Sequence, residues 1–166
     1  MPAVMPLRFD RAPPYAADAN GPRLATFTAV NGTGSTLIAV GRSARRVFEV
    51  VDLDTAAAMG SGSVPALGTP RLLAWMEAVT VAVLEPELHT DHTSVGTRVE
   101  LEHVRPSAVG AQVCVEAFVT AVDGRRVDFD ILATDADGTP VGRGRISRVV
   151  VERASFPDRL GPRGPG

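Results

Sequence analysis

Residues 69–84, TPRLLAWMEAVTVAVL, constrain this chain more than any other segment. Leu72, Leu73, Ala74, Trp75, Met76, Ala78, Val79, Val81, Ala82, Val83 and Leu84 place apolar side chains on nearly every face of a helix. A helix apolar all round is a buried one and must be wrapped by other structure. Thr69-Pro70 reads as its start, an N-cap hydroxyl with proline at the first helical position. Pro86 ends it just beyond Leu84. The stretch does not reach membrane-spanning length, and Glu77 and Thr80 interrupt it. A chain of 166 residues is long enough for one domain with a real core.

After the helix the hydrophobic period changes to two. Gly96 to Val104 alternates Thr97, Val99, Leu101 and His103 against Arg98, Glu100 and Glu102. Val113, Val115, Ala117, Val119 and Ala121 follow, up to Asp123-Gly124, a tight-hairpin signal. Val127, Phe129, Ile131 and Ala133 form the next run, closed by a turn at Asp135 to Gly138, and a last strand spans Val141 to Glu152. Ahead of the helix, Arg46 to Asp52 reads as a strand and Gly60-Ser61-Gly62-Ser63 as a flexible loop. One strand, one helix and four antiparallel strands joined by hairpins predict an α+β domain, its antiparallel sheet wrapped around one long buried helix. Residues 1–40, punctuated by Pro2, Pro6, Pro13, Pro14 and Pro22, read as a mostly disordered extension, 41–156 as the domain and 157–166 as a flexible tail.

Charge narrows the function classes. All basic residues are arginine, lysine is absent, and the formal net charge is −2. That gives no electrostatic case for nucleic acid or an anionic membrane as partner. The lone Cys114 excludes an internal disulfide and fits a reducing compartment. No secretion signal is read in Met1 to Phe9, so a cytoplasmic location is expected.

Three residues carry candidate chemistry. Glu77 lies inside the apolar helix, where an unpaired buried charge would cost several kcal/mol. It lies either on a solvent-facing or salt-bridged stripe, or in a largely dry site that tunes it. His103 shares the inward face of its strand with Val99 and Leu101, as a core histidine or a base. Thr69 is an ordinary cap or, beside the free N–H groups of a helix start, part of an oxyanion site. Thr69 and Glu77 stand about 12 Å apart along one helix, at ~1.5 Å per residue, so they cannot touch within one chain unless it curls back before Pro70. The His89-Thr90-Asp91-His92 turn has too few ligands for a metal site. Gly142-x-Gly144 lacks a dinucleotide-binding context. No G-x-S-x-G elbow occurs.

The segment Gly60 to Pro70, Trp75-Met76-Glu77-Ala78, Thr93-Ser94-Val95-Gly96-Thr97, His103, Pro106, Val122-Asp123-Gly124-Arg125 and Gly144 to Val151 with Arg148 resembles the fluoroacetyl-CoA thioesterase-like family of hotdog proteins. The likeness covers about residues 41–156. It implies the hotdog fold and a homodimer, or dimer of dimers, that hydrolyses a short-chain acyl-CoA thioester to free acid and CoA without metal or cofactor. Matching positions assign catalysis to Thr69, Glu77 and His103 and substrate binding to Gly68, Gly96 and Arg148. His103 would act as base on Thr69 or a water, with Glu77 orienting it and N–H groups of residues 69–71 holding the oxyanion; direct attack by Glu77 through an anhydride is the rival mechanism. Arg125, Arg126, Arg143 and Arg145 are the candidates for CoA phosphates. Other outcomes on this fold are a non-catalytic acyl-CoA-binding module or an enoyl-CoA hydratase. The fluoroacetyl-specific enzyme carries lid phenylalanines ahead of the threonine. Gly60 to Ser63 stand there here, so a different acyl preference is expected.

Overall fold

The computed structural model describes residues 38–155. The expected N-terminal extension up to residue 37 and the tail from residue 156 lie outside them. The elements are β1 (Ser43–Glu49), α1 (Thr69–Leu84), β2 (His92–His103), β3 (Gln112–Asp123), β4 (Arg126–Thr134) and β5 (Pro140–Glu152), with short 3₁₀ turns at Asp52–Asp54 and Glu85–Glu87. They form one antiparallel sheet in the order β1-β3-β4-β5-β2, with α1 across its inner face.

The hairpins β3–β4 and β4–β5 form where the turn residues put them. Gly124 and Gly138 take positive φ (57° and 85°), which glycine adopts without a Cβ clash. The expected hairpin between β2 and β3 does not form. β2 pairs instead with β5, at the far edge of the sheet from β1. The crossing segment, residues 104–111, is held by other partners: Leu67 N–H donates to Ser107 O (2.9 Å) and Gly110 N–H to Val50 O (2.8 Å). Strand alternation specifies a face but not a neighbour, so the pattern left this pairing undetermined.

α1 buries one side against the sheet through Leu72, Trp75, Met76, Val79, Val83 and Leu84. Each such side chain contributes about 1.5–3 kcal/mol of hydrophobic stabilisation. The helix sits close on β5: a Cβ at Gly142 would come 2.8 Å from Leu72 Cδ2. Trp75 stacks on Phe48 of β1 with centroids 4.8 Å apart. The opposite stripe, with Leu73, Glu77 and Val81, is only half-buried, and Ala74 is exposed. The all-apolar composition had predicted burial on every side.

Residues 50–68 are more ordered than a flexible loop. Ala56 N–H donates to Ala66 O (2.8 Å) and Ser61 N–H to Ala56 O (3.0 Å). Asp54 anchors this segment to the helix: its Oδ1 pairs with Arg71 Nε at 2.6 Å and its Oδ2 accepts from Val51 N–H at 3.0 Å. Packing also reaches ahead of Gly41, because Ile38 is 5% exposed within the core.

Candidate active site

Thr69 is the first residue of α1 and does not cap it. The N-cap is Gly68, in extended conformation, with no side-chain capping bond. Gly68 is wedged in place, since a Cβ there would lie 3.2 Å from Ala56 Cα and from Ser61 Oγ. The Thr69 hydroxyl, free of capping duty, lies 3.1 Å from His103 Nδ1. His103 ends β2 opposite Gly142, on the helix-facing side as its alternation predicted. Its Nε2 is buried and has no hydrogen-bond partner among the described residues. Burial pushes the imidazole below its ordinary 6.5, and the Arg105 backbone works against that shift. The ring is therefore neutral at neutral pH and competent to accept a proton.

The helix start offers fewer amides than its sequence suggested. Pro70 has no N–H, and those of Arg71 and Leu72 both donate to Gly68 O (3.0 and 3.1 Å). Among residues 69–72 of the described chain, the Thr69 N–H is the one without a backbone acceptor.

Glu77 forms a second cluster two turns along the helix. Its Oε1 lies 3.5 Å from Arg148 Nη1, and its side chain is 39% exposed while that of Arg148 is 7% exposed. The carboxylate occupies the space beside Gly96, where a Cβ would come within 2.5 Å of Oε1. Gly96 and Arg148 are cross-strand partners on β2 and β5. Of the two readings open for Glu77, the structure shows a half-exposed group with an ion-pair partner. It does not touch His103, so the expected orientation of His103 by Glu77 is not made within one chain.

Two polar residues that the sequence reasoning missed complete this cluster. Ser94 accepts from Arg148 through both Oγ (from Nε, 2.9 Å) and its backbone O (from Nη2, 2.9 Å). Thr80 Oγ1, fully buried, receives Arg148 Nη1 at 3.4 Å. The available signal was a hydroxyl at Thr80, one turn from Glu77, in an otherwise apolar helix.

The suggested CoA-phosphate arginines do not gather here. Arg126, Arg143 and Arg145 pair with Asp128, Glu102 and Asp130 on the outer sheet face, away from the helix. Among the described residues no group of three metal-ligating side chains occurs, and no helix is long and apolar enough to cross a membrane.

The model of the fluoroacetyl-CoA-specific thioesterase family matches residues 50–154. The chain belongs to this thioesterase family. Its members hydrolyse acyl-CoA thioesters, and this chain is a thioester hydrolase of the hotdog fold. Solved structures agree. A hot-dog-like protein from Thermanaerovibrio acidaminovorans is 31% identical, with TM-score 0.69, covering 76% of this chain and 93% of its own. A Thermus thermophilus thioesterase superfamily member is 25% identical, with TM-score 0.70, over 74% and 90% of the two chains. A mutant of the fluoroacetyl-CoA-specific thioesterase, in complex with fluoroacetate and CoA, shares the fold at 24% identity, with TM-score 0.66, over 70% and 98%. A comparison with curated proteins gives no match.

Proposed function

We propose that this thioesterase hydrolyses short-chain acyl-CoA as a cytoplasmic homodimer, at sites that combine Thr69 and His103 of one protomer with Glu77 of the other. The observation that carries the reading is the pair Thr69 Oγ1 and His103 Nδ1 at 3.1 Å, with His103 Nε2 buried and unpartnered. A neutral imidazole that accepts from Thr69 at Nδ1 carries its proton on Nε2, and a buried donor needs an acceptor. A carboxylate at that position completes an order of groups in which a base activates a hydroxyl and an acid steadies the base.

The sheet supplies a route to that carboxylate. β2 ends the sheet, leaving its outer backbone groups open to another strand, and Val99 on it is 39% exposed. Antiparallel pairing with a second β2 about a two-fold axis would continue the sheet into the partner and bring the helix-facing groups of the two β2 strands side by side. Glu77, seated on Gly96, is the carboxylate we assign to the vacant Nε2 of the other chain. The half-buried stripe of Leu73, Glu77 and Val81 is covered in the same assembly.

In the reaction, His103 takes the Thr69 hydroxyl proton as the oxygen attacks the thioester carbonyl carbon. The carbonyl electrons become an oxyanion beside the Thr69 N–H at the positive end of α1. The C–S bond then breaks, CoA leaves with the proton from His103, and water cleaves the acyl-threonine by the same base. Residues 60–63 are small and exposed and themselves bring no aromatic side chain to the entrance, which fits plain short acyl groups better than a selected fluoroacetyl group.

Mixing inactive Thr69→Ala and Glu77→Gln proteins tests the arrangement. In a randomly exchanged population half the dimers are mixed and each holds one intact site of two, so about a quarter of wild-type activity should return. No recovery after mass spectrometry confirms exchange would sink the two-chain site. Thiol release from a panel of short acyl-CoAs gives the chain-length preference.

A further inference from the structure

Arg148 is a buried cation, and the arrangement around it does more than neutralise it. Its guanidinium is gripped along one edge by Ser94, which takes Nε on Oγ and Nη2 on the backbone O, each at 2.9 Å. At the opposite corner Nη1 meets Thr80 Oγ1 at 3.4 Å and Glu77 Oε1 at 3.5 Å. The Thr80 hydroxyl donates its own proton to the Glu77 backbone O at 2.7 Å, so only its lone pairs are available to Arg148. Its acceptor direction is therefore fixed. β2, β5 and α1 each contribute one part of the grip, and Gly96, two residues from Ser94, forms the wall against which Glu77 rests.

We propose that Ser94 and Thr80 are positioning residues for the reaction, fixing the Arg148 guanidinium so that its Nη1 end holds the Glu77 carboxylate at Gly96. The inference rests on the reading that Glu77 serves hydrolysis. A planar guanidinium held at both ends is a rigid reference, whereas one held only by its mobile carboxylate partner is not. Neither hydroxyl touches the reacting atoms. Both act through Arg148.

Ser94→Ala, Thr80→Val and the conservative Thr80→Ser test this, with kcat, KM and melting temperature measured on the same preparations of the full chain. Ser94→Ala and Thr80→Val should each lower kcat by about tenfold, the scale of one hydrogen bond to a charged group. KM should stay within about twofold, because neither hydroxyl is itself a substrate contact and the Arg148 side chain remains in place. Thr80→Ser, which keeps the hydroxyl, should restore most of the lost kcat. The proposal is overturned if Ser94→Ala and Thr80→Val keep wild-type kcat while Glu77→Gln is inactive, which leaves the catalytic reading standing. It is also overturned if activity is lost only in proportion to folded protein, or if Thr80→Ser fails to restore it. A Glu77→Gln protein with near wild-type activity would remove the reading itself and the proposal with it.

Discussion

Replacing Gly96 by alanine gives a sharp test of where Glu77 must sit. The added methyl would lie 2.5 Å from Glu77 Oε1, against an ordinary contact of 3.4 Å or more, so the carboxylate must retreat by close to an ångström. The atom met is the far end of a flexible side chain, and Gly96 does not have a positive φ, so the backbone accepts the change. Alanine also restricts the unfolded chain, worth about 0.4–1 kcal/mol in favour of folding. Stability should thus change by no more than about 1 kcal/mol, or ~2–4 °C in Tm. Displacing a working carboxylate by this distance should cost about 10²-fold in kcat. Gly144→Ala is the contrasting control: there the methyl meets the Glu100 backbone O at 2.5 Å, which a side-chain rotation cannot relieve, so Tm should fall. Thiol-release kinetics and thermal melts on both variants decide the matter. A Gly96→Ala protein that hydrolyses acyl-CoA within about threefold of wild type would show that the seat of Glu77 on Gly96 has no part in the chemistry.

Four further outcomes are expected. Burial holds His103 below 6.5, while a partner carboxylate at Nε2 would pull it up, so the acidic limb of kcat/KM should move to lower pH in Glu77→Gln. In that variant the neutral imidazole contributes stability that is complete above 6.5 and lost as pH falls through the lower native value, which pH-dependent melts would reveal. Asp54→Ala leaves Arg71 unpaired and the Val51 N–H without its acceptor, and should cost about 1–3 kcal/mol by denaturant titration. A chain beginning at Gly41 loses Ile38 from the core and should be about 2 kcal/mol less stable than one beginning at Ile38. Equal melting curves would show that the core ends at Gly41.

The parts of the fold legible in the sequence are those specified by local period. α1 is found at Thr69–Leu84 because apolar residues and flanking prolines mark both ends, and β3, β4 and β5 lie within about two residues of their alternation. β2 was read from Gly96 but begins at His92, since the register shift between Gly96 and Arg98 breaks the alternation just where the strand would have been extended. Strand order was not legible, because the β2–β5 pairing joins residues some fifty positions apart and no local pattern encodes it. At the site, the familial pattern singled out a threonine, a glutamate and a histidine, whose contacts it did not specify. Only coordinates divide them into a Thr69–His103 pair and a Glu77–Arg148 pair. Ser94 and Thr80 went unread because a serine in a strand and a threonine in a helix are chemically ordinary until an arginine from a third element reaches them.

The open edge of β2 also bears on how this enzyme behaves on dilution. Among the described residues nothing lies beside the twelve residues of β2 that end the sheet, and the proposal divides the chemistry between two chains. Turnover per chain then becomes a function of protein concentration, constant while protomers are paired and falling towards zero below their dissociation constant. Dilution would switch the enzyme off without unfolding it, and acyl-CoA bridging both halves would raise the concentration dependence to a substrate dependence. The same edge is a template for wrong partners, so the proposed pairing would also guard the chain against aggregation.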